Sequence, residues 1–301
     1  MPELPDVEVY VRRLRALVQG QPLEKVRLAS PFVLRTVRPP LAETSGKVLV
    51  GVERLAKRIV LELEGELFVV IHLMVAGRLR WRKKGVSVRG RGALGAFDFP
   101  DGSILFTEVS KKKRASLHLV QGRAGLVEHQ RGGIEPLECS VEDFAEALRR
   151  ERHTLKRSLT DQRFFSGIGN AYSDEILFEA RLSPVKMSTS LDDAEVERLY
   201  LATVSVLSEW TQRLLTEVGE GFPDKVTAFR EEMTVHGRYG KPCRVCEAPV
   251  QRIVRAENEV NYCVNCQTGG KLLADRALSR LLKKDWPKSL DELDARRGKA
   301  T

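Results

Sequence analysis

The chain has 301 residues, 42% of them hydrophobic, and 50 Lys and Arg against 41 Asp and Glu leave a net charge of +9. That length suits about two domains, each with its own core, and the positive balance favours a polyanion as partner. No apolar run reaches the roughly 18 residues of a membrane span, since the longest, 67–76, contains His72 and reads as a strand; nor does a basic stretch followed by an apolar one open the chain, so the expectation is a cytoplasmic protein.

The chain opens Met1-Pro2-Glu3-Leu4-Pro5-Asp6. An initiator Met before a residue as small as Pro is normally removed, leaving Pro2 with a free secondary amine of reference pKa about 8. Such an amine attacks an aldehyde-like carbon to give an iminium ion, and Glu3 beside it offers a carboxyl group for proton transfer. From Val7 the residues Tyr10, Val11, Leu14, Leu17 and Val18 recur at the helical period, with Asp6 and Glu8 in the first turn and Gly20 as the stop. A packed helix would then hold the terminus, whereas a frayed, Pro-rich start is the other reading.

Strand character follows as far as Gly133, with Val26–Leu28, Val48–Val52 and Arg58–Leu63 as candidates and Ile59, Leu61 and Leu63 on one face. The segment 97–106 reads as a hairpin about Asp101-Gly102, and a sandwich is the expected assembly. Arg78, Arg80 and Arg82 alternate onto one face of a strand, which suits phosphates or makes a solvated basic rim; Lys111 to Arg114 carries the same two readings. A linker at 131–138 precedes helical patterning, with box-like starts at Ser140/Asp143 and Ser190/Asp193. The second of these helices carries Leu199, Leu207, Trp210 and Leu214 to a stop at Gly219. Between them Gly167-Ile168-Gly169-Asn170 makes a tight turn in which Asn170 suits an N-cap, and the helix start can bind a phosphate or simply join two helices.

Cys243-x-x-Cys246 and Cys263-x-x-Cys266 stand 16 residues apart, the spacing of a four-thiolate structural zinc site with sulfurs about 2.3 Å from the ion. Such a ribbon would be a rigid basic finger carrying Arg252 and Arg255. Cys139 is unpaired and reads as a small hydrophobe, and the five histidines, lacking metal spacing, read as structural. Near the end, Leu278, Leu281 and Leu282 suggest a short docking helix.

In this order the residues resemble the formamidopyrimidine-DNA glycosylase and endonuclease VIII family, from Pro2 to about Gln267. The resemblance is carried by Pro2-Glu3-Leu4-Pro5 with Glu8, by Arg54-Leu55-Ala56-Lys57-Arg58, by Lys156 with Asp161-Gln162 and the stretch Gly167 to Glu175, and by Val235 to Gln267. It implies an α+β chain of two domains: a catalytic β-sandwich with an N-terminal helix over 2–133 and a helix-two-turn-helix domain over 134–234 that ends in a zinc finger over 235–270, before a basic tail over 271–301. It further implies one structural zinc ion and a monomer binding damaged double-stranded DNA between the domains. By the same resemblance Pro2 attacks C1′ of a nucleotide swung out of the duplex, Glu3 opens the sugar and transfers protons, Lys57 holds a flanking phosphate, and Lys156 and Asn170 bind phosphates. The activity implied is excision of oxidised bases with β,δ-elimination at the abasic site, purines favoured; oxidised pyrimidines or abasic sites, and DNA binding without catalysis, are the alternatives.

Three stretches depart from the family pattern. Asn258 stands where an Arg usually lies, which turns attention to Arg252 and Arg255 as the phosphate contact. His72-Leu73-Met74-Val75 replaces His-Leu-Gly-Met, so that Met74 is the candidate for filling the void left by the flipped base. Lys111-Lys112-Lys113 replaces Arg-Arg-Phe, and Lys111 and Lys112 become the candidate contacts there.

Overall fold

The computed structural model describes residues 1–224, 226–227, 229–255, 258–274 and 285–297, with the side chains of Arg255, Asn258 and Asp294 left out; the expected docking helix at Leu278, Leu281 and Leu282 lies outside the described residues. Two compact units emerge, Met1–Gly132 with Ser208–Ala228, and Gly133–Leu207 with Phe229–Thr301.

In the first unit α1 (Leu4–Val18) begins earlier than its apolar period suggests. Glu3 is its N-cap, the Glu3 N–H donating to Asp6 Oδ2 at 3.0 Å, and Pro5 sits in the first turn, where a missing N–H costs nothing. The strands are β1 (Pro22–Leu23), β2 (Lys25–Leu28), β3 (Lys47–Leu55), β4 (Arg58–Leu63), β5 (Leu67–His72), β6 (Gly77–Arg82), β7 (Ala93–Phe99), β8 (Gly102–Glu108) and β9 (Ser116–Gln121). They form a five-stranded sheet, β1-β3-β4-β5-β9, and a four-stranded sheet, β2-β7-β8-β6. One core takes Ile59, Leu61 and Leu63 from the first sheet, Leu79, Phe97 and Phe106 from the second, and Tyr10, Val11 and Leu14 from α1. Each such side chain contributes about 1.5–3 kcal/mol on burial, so the alternation of β4 dictates which way it faces. The expected hairpin is β7–β8, turning at Pro100-Asp101.

The second unit holds α2 (Val141–Arg149), α3 (Leu155–Thr160), α4 (Asn170–Glu179), the first part of α5 (Asp193–Val218), a two-stranded ribbon of β10 (Gln251–Arg255) and β11 (Asn258–Tyr262), α6 (Val264–Thr268) and α7 (Leu290–Arg297). Ser140 and Asp143 exchange the expected box bonds, at 3.1 and 3.2 Å. The second box lies elsewhere. The Glu195 N–H donates to Asp192 Oδ1 at 2.8 Å and the Asp192 N–H to Glu195 Oε2, while Ser190 closes a 3-10 turn by donating to the Met187 carbonyl. The Asp192 carboxylate accepts without having to donate, and Leu191, buried, sets the helix entry two residues later than a cap at Ser190 would. Among the described residues no helix is long and apolar enough to cross a membrane.

Candidate active site and metal centre

The start of α1 and the β3–β4 turn build the first part of the site. Leu55 pairs with Arg58, which leaves Ala56-Lys57 as a two-residue turn, and Ala56 is held at φ 53°, a left-handed conformation costing about 1–2 kcal/mol for a residue with a Cβ. The Arg54 guanidinium donates to the Ala56 carbonyl at 3.1 Å and lies 3.7 Å from Glu8, which ties the turn to α1. Pro2, Glu3, Asp6 and Lys57 are all buried. The amino terminus lies among them. Burial lowers the Met1 terminal amine below its ordinary value, opposed by the nearby Glu3 and Asp6 carboxylates and assisted by Arg78 and Lys57. Three of the expected catalytic residues thus share one buried neighbourhood. Arg78 is a fourth member that periodicity did not single out from Arg80 and Arg82; its Nε donates to the Val226 carbonyl at 2.7 Å.

Met74 and the lysines belong to loops of the same unit. Met74 is half-buried with φ 51°, and Val75 after it is 59% exposed, so the tip of the β5–β6 turn presents Val75 rather than Met74. Lys111 and Lys112 are exposed on the loop after β8. The buried Glu108 carboxylate anchors that loop, accepting from the Arg114 and Ala115 N–H groups at 2.9 and 3.1 Å.

In the second unit Lys156 and Asn170 come together. Lys156 Nζ donates to the Asn170 carbonyl at 2.6 Å and to Asp174 Oδ1 at 2.5 Å. Asn170 is not the N-cap, a place taken by Gly169; as first residue of α4 it donates from Nδ2 to the Glu259 carbonyl of β11 at 2.9 Å. The other Asp174 oxygen meets His236 Nδ1 at 2.8 Å and the Asn261 N–H at 3.1 Å, and the Glu175 carboxylate accepts from the N–H groups of Thr234, Val235 and His236. Sequence reading assigned these two acids no role. Their signal was the pairing of adjacent carboxylates with the apolar face of α4, because buried carboxylates demand partners. His236 is the satisfied structural histidine expected of it. Arg252 lies over the Tyr239 ring at 4.2 Å and pairs with Glu259 at 3.1 Å, whereas the side chains of Arg255 and Asn258 are outside the described residues.

The four cysteine sulfurs lie within 4.8 Å of one another, Cys246 and Cys263 at 3.4 Å and Cys243 and Cys266 at 4.0 Å. Backbone N–H groups of Val245 and Cys266 point at Cys243 and Cys263 Sγ at 3.5 Å each, the knuckle geometry that supports thiolates. Burial pushes the Cys263 thiol well up and Cys266 to about 11, whereas at Cys246 burial is outweighed by hydrogen bonds from the Ala248 backbone and the neighbouring thiols, which lower it. A bound cation would favour thiolates at all four, and the donor set fits zinc.

A helix-capped sandwich and a helical unit with a four-sulfur ribbon define a class of modular α+β protein. Comparison with known proteins narrows this. The family model for the N-terminal domain of formamidopyrimidine-DNA glycosylase matches residues 1–124, and that for its H2TH domain matches 133–214. The formamidopyrimidine-DNA glycosylase of Heliobacterium modesticaldum is 35% identical over 282 residues, covering 89% of this chain and 100% of its own. Among solved structures, that of MutM (Fpg) from Thermus thermophilus superposes with TM-score 0.72 at 32% identity, covering 88% and 98% of the two chains. Wild-type Lactococcus lactis Fpg in complex with DNA containing an oxidised pyrimidine gives 0.77 at 25% identity, covering 89% and 100%. The chain belongs to the formamidopyrimidine-DNA glycosylase family.

Proposed function

We propose that this chain is a DNA repair glycosylase for oxidised bases that also cleaves the strand at the abasic site it makes, through a Schiff base on Pro2. The observation that carries the reading is the buried amino terminus beside Glu3 and Lys57, its amine held below the ordinary range by burial. With Met1 removed, the same burial would act on the Pro2 amine and favour its free-base form. The amine lone pair forms a bond to C1′ and the nitrogen gives up its proton, and the ring-oxygen bond to C1′ breaks as Glu3 supplies the proton that the ring oxygen takes up. The C1′–N bond to the damaged base then breaks, the base leaving with the bonding electrons and a proton while the Pro2 nitrogen lone pair closes the iminium to C1′. Loss of the C2′ proton then expels the 3′ phosphate by β-elimination, a second elimination expels the 5′ phosphate, and Lys57 steadies the flanking phosphate charge. Lys156 and Asn170 grip the backbone in the second unit, with Lys111, Lys112 and Arg252 as exposed contacts. Zinc held by Cys243, Cys246, Cys263 and Cys266 would supply only rigidity to the ribbon. Oxidised purines are the favoured substrates. Oxidised pyrimidines are the second reading, supported by the Lactococcus protein's complex with DNA containing one.

The experiment is a nicking panel on duplexes carrying 8-oxoguanine, formamidopyrimidine, thymine glycol, dihydrouracil or an abasic site, with borohydride added in parallel. Purine lesions should be cut fastest and a covalent adduct should map to Pro2. Faster cutting of the pyrimidine lesions reverses the preference, and binding without cutting leaves a DNA-binding protein. A variant with one residue inserted before Pro2 should not be trapped; undiminished trapping would move the nucleophile to a lysine, Lys57 first.

A further inference from the structure

The outer face of the five-stranded sheet carries a basic cluster that this mechanism does not use. Strand register sets Arg58, His72 and Ser116 side by side across β4, β5 and β9, with His118 opposite Val70 two residues further along. Side-chain alternation puts them on the face opposite Ile59, Leu61 and Leu63, away from the main core. The 3-10 turn Arg123–His129 lies over this face through Leu126, which packs with Val60, Phe68 and Val70. It brings the His129 ring edge-on to His118, centroids 4.7 Å apart, and Arg58 Nη1 donates to the His129 carbonyl at 2.9 Å. A groove of about 870 Å³ opens beside the two rings and is also lined by Arg35, Arg38, Glu43 and Glu128.

Arg58, Arg35 and Arg38 bring three guanidinium groups to this face, against the Glu43 and Glu128 carboxylates on the groove wall. The half-buried Arg58 has no ion-pair partner among the described residues, and its Nε, like Nδ1 of His118, is buried with no hydrogen-bond partner. Burial, with Arg58, Lys57, His118 and Arg131, pushes His72 down to about 4; burial, with His129, Arg58 and Arg35, does the same to His118. His129 is lowered by burial and Arg58 against the pull of Glu128. Donors crowded this way around one guanidinium match a tetrahedral oxyanion, which accepts from several at once and favours protonated imidazoles.

We propose that Arg58, His118 and His129, with His72 and Arg35 around them, form an oxyanion site that takes a phosphate group. A phosphodiester of a nucleic-acid strand and free phosphate are its two sources. The assignment does not rest on the glycosylase reading, since binding is tested without turnover.

The test follows the histidine ring resonances of the full chain from pH 4 to 8 in chloride buffer, then with inorganic phosphate, then with an undamaged duplex. An anion that prefers the protonated rings raises their pKa and binds more tightly as pH falls. A rise of about one unit at His118 and His129, tenfold tighter binding to the protonated pair, is expected. Response to both probes supports a general oxyanion site, and response to the duplex alone makes the backbone phosphodiester its ligand. Arg58→Gln should abolish the shift, and the surface variant Arg35→Gln should reduce it should Arg58→Gln not fold. Identical titrations in chloride and with both probes, or full shifts in every folded variant, would overturn the proposal.

Discussion

Glu3 has two jobs open to it at the residue scale. As N-cap it orients the start of α1, its N–H bonded to Asp6, and as a buried acid beside the terminus it can protonate a sugar oxygen. Releasing an intact damaged base needs that proton, on the order of 10² to 10⁴ in rate, whereas an abasic site already equilibrates with its open aldehyde. Glu3→Gln should therefore lose base excision far more than abasic-strand cleavage in parallel single-turnover assays, and equal losses would make Glu3 an orienting residue only. Pro2→Gly keeps a primary amine and should retain part of both activities. The lowered amine also sets a pH dependence. A group whose pKa falls below its ordinary value stays free base to lower pH. If the burial that lowers the Met1 amine acts equally on Pro2 once Met1 is removed, trapping by borohydride should persist to lower pH than an ordinary α-amino group allows and decline as pH drops through the depressed value.

Single residues hold whole elements in place. A Cβ on Gly77 would stand 2.2 Å from the Leu73 carbonyl oxygen, a backbone atom that cannot move aside without opening the β5–β6 turn. Gly77→Ala should lower stability by about 1–3 kcal/mol in denaturant unfolding and displace Met74 and Val75 with it. In the second unit the Asp174 carboxylate joins Lys156 of α3 to His236 and the Asn261 N–H of the ribbon. Asp174→Ala strands a buried ammonium and should cost about 3–5 kcal/mol, with thermal unfolding as the measure. The ribbon should depend on its metal in the same all-or-none manner. One zinc per chain is expected by elemental analysis, and Cys263→Ser should lose the metal and the ribbon's amide protection together.

For the whole molecule, +9 of net charge makes DNA affinity an electrostatic quantity. Each phosphate contact removed should flatten the dependence of log K on log salt by about 0.9. Lys111→Gln with Lys112→Gln, two exposed cations on one loop, should lower that slope without changing stability, and an unchanged slope would take both off the interface. The segment 219–227 illustrates how far apart in sequence such surfaces can be assembled. Arg13 donates to the Glu220 and Gly221 carbonyls, Tyr10 packs on Phe222, and Arg78 reaches Val226, so residues some 200 positions from α1 complete its unit.

Periodicity alone determined α1, β4, the β7–β8 hairpin and the long α5, because each buries one stripe or face and its apolar residues recur at the period of the element. The four cysteines were equally legible, since coordination of one ion requires a set spacing along a short ribbon. Pro2, Glu3 and Lys57 could be named as a set only through resemblance, since nothing local to residue 57 points at residue 2. Tertiary structure decided what depends on partners distant in the chain: Asp174 and Glu175 as clamps on the ribbon, Arg78 beside the terminus, the Asp192 box in place of Ser190, and the clustering of Arg58 with His118 and His129. A buried charge is tolerated only where the fold brings it a partner or a ligand, and that pairing is a property of the packed chain, absent from any window of sequence.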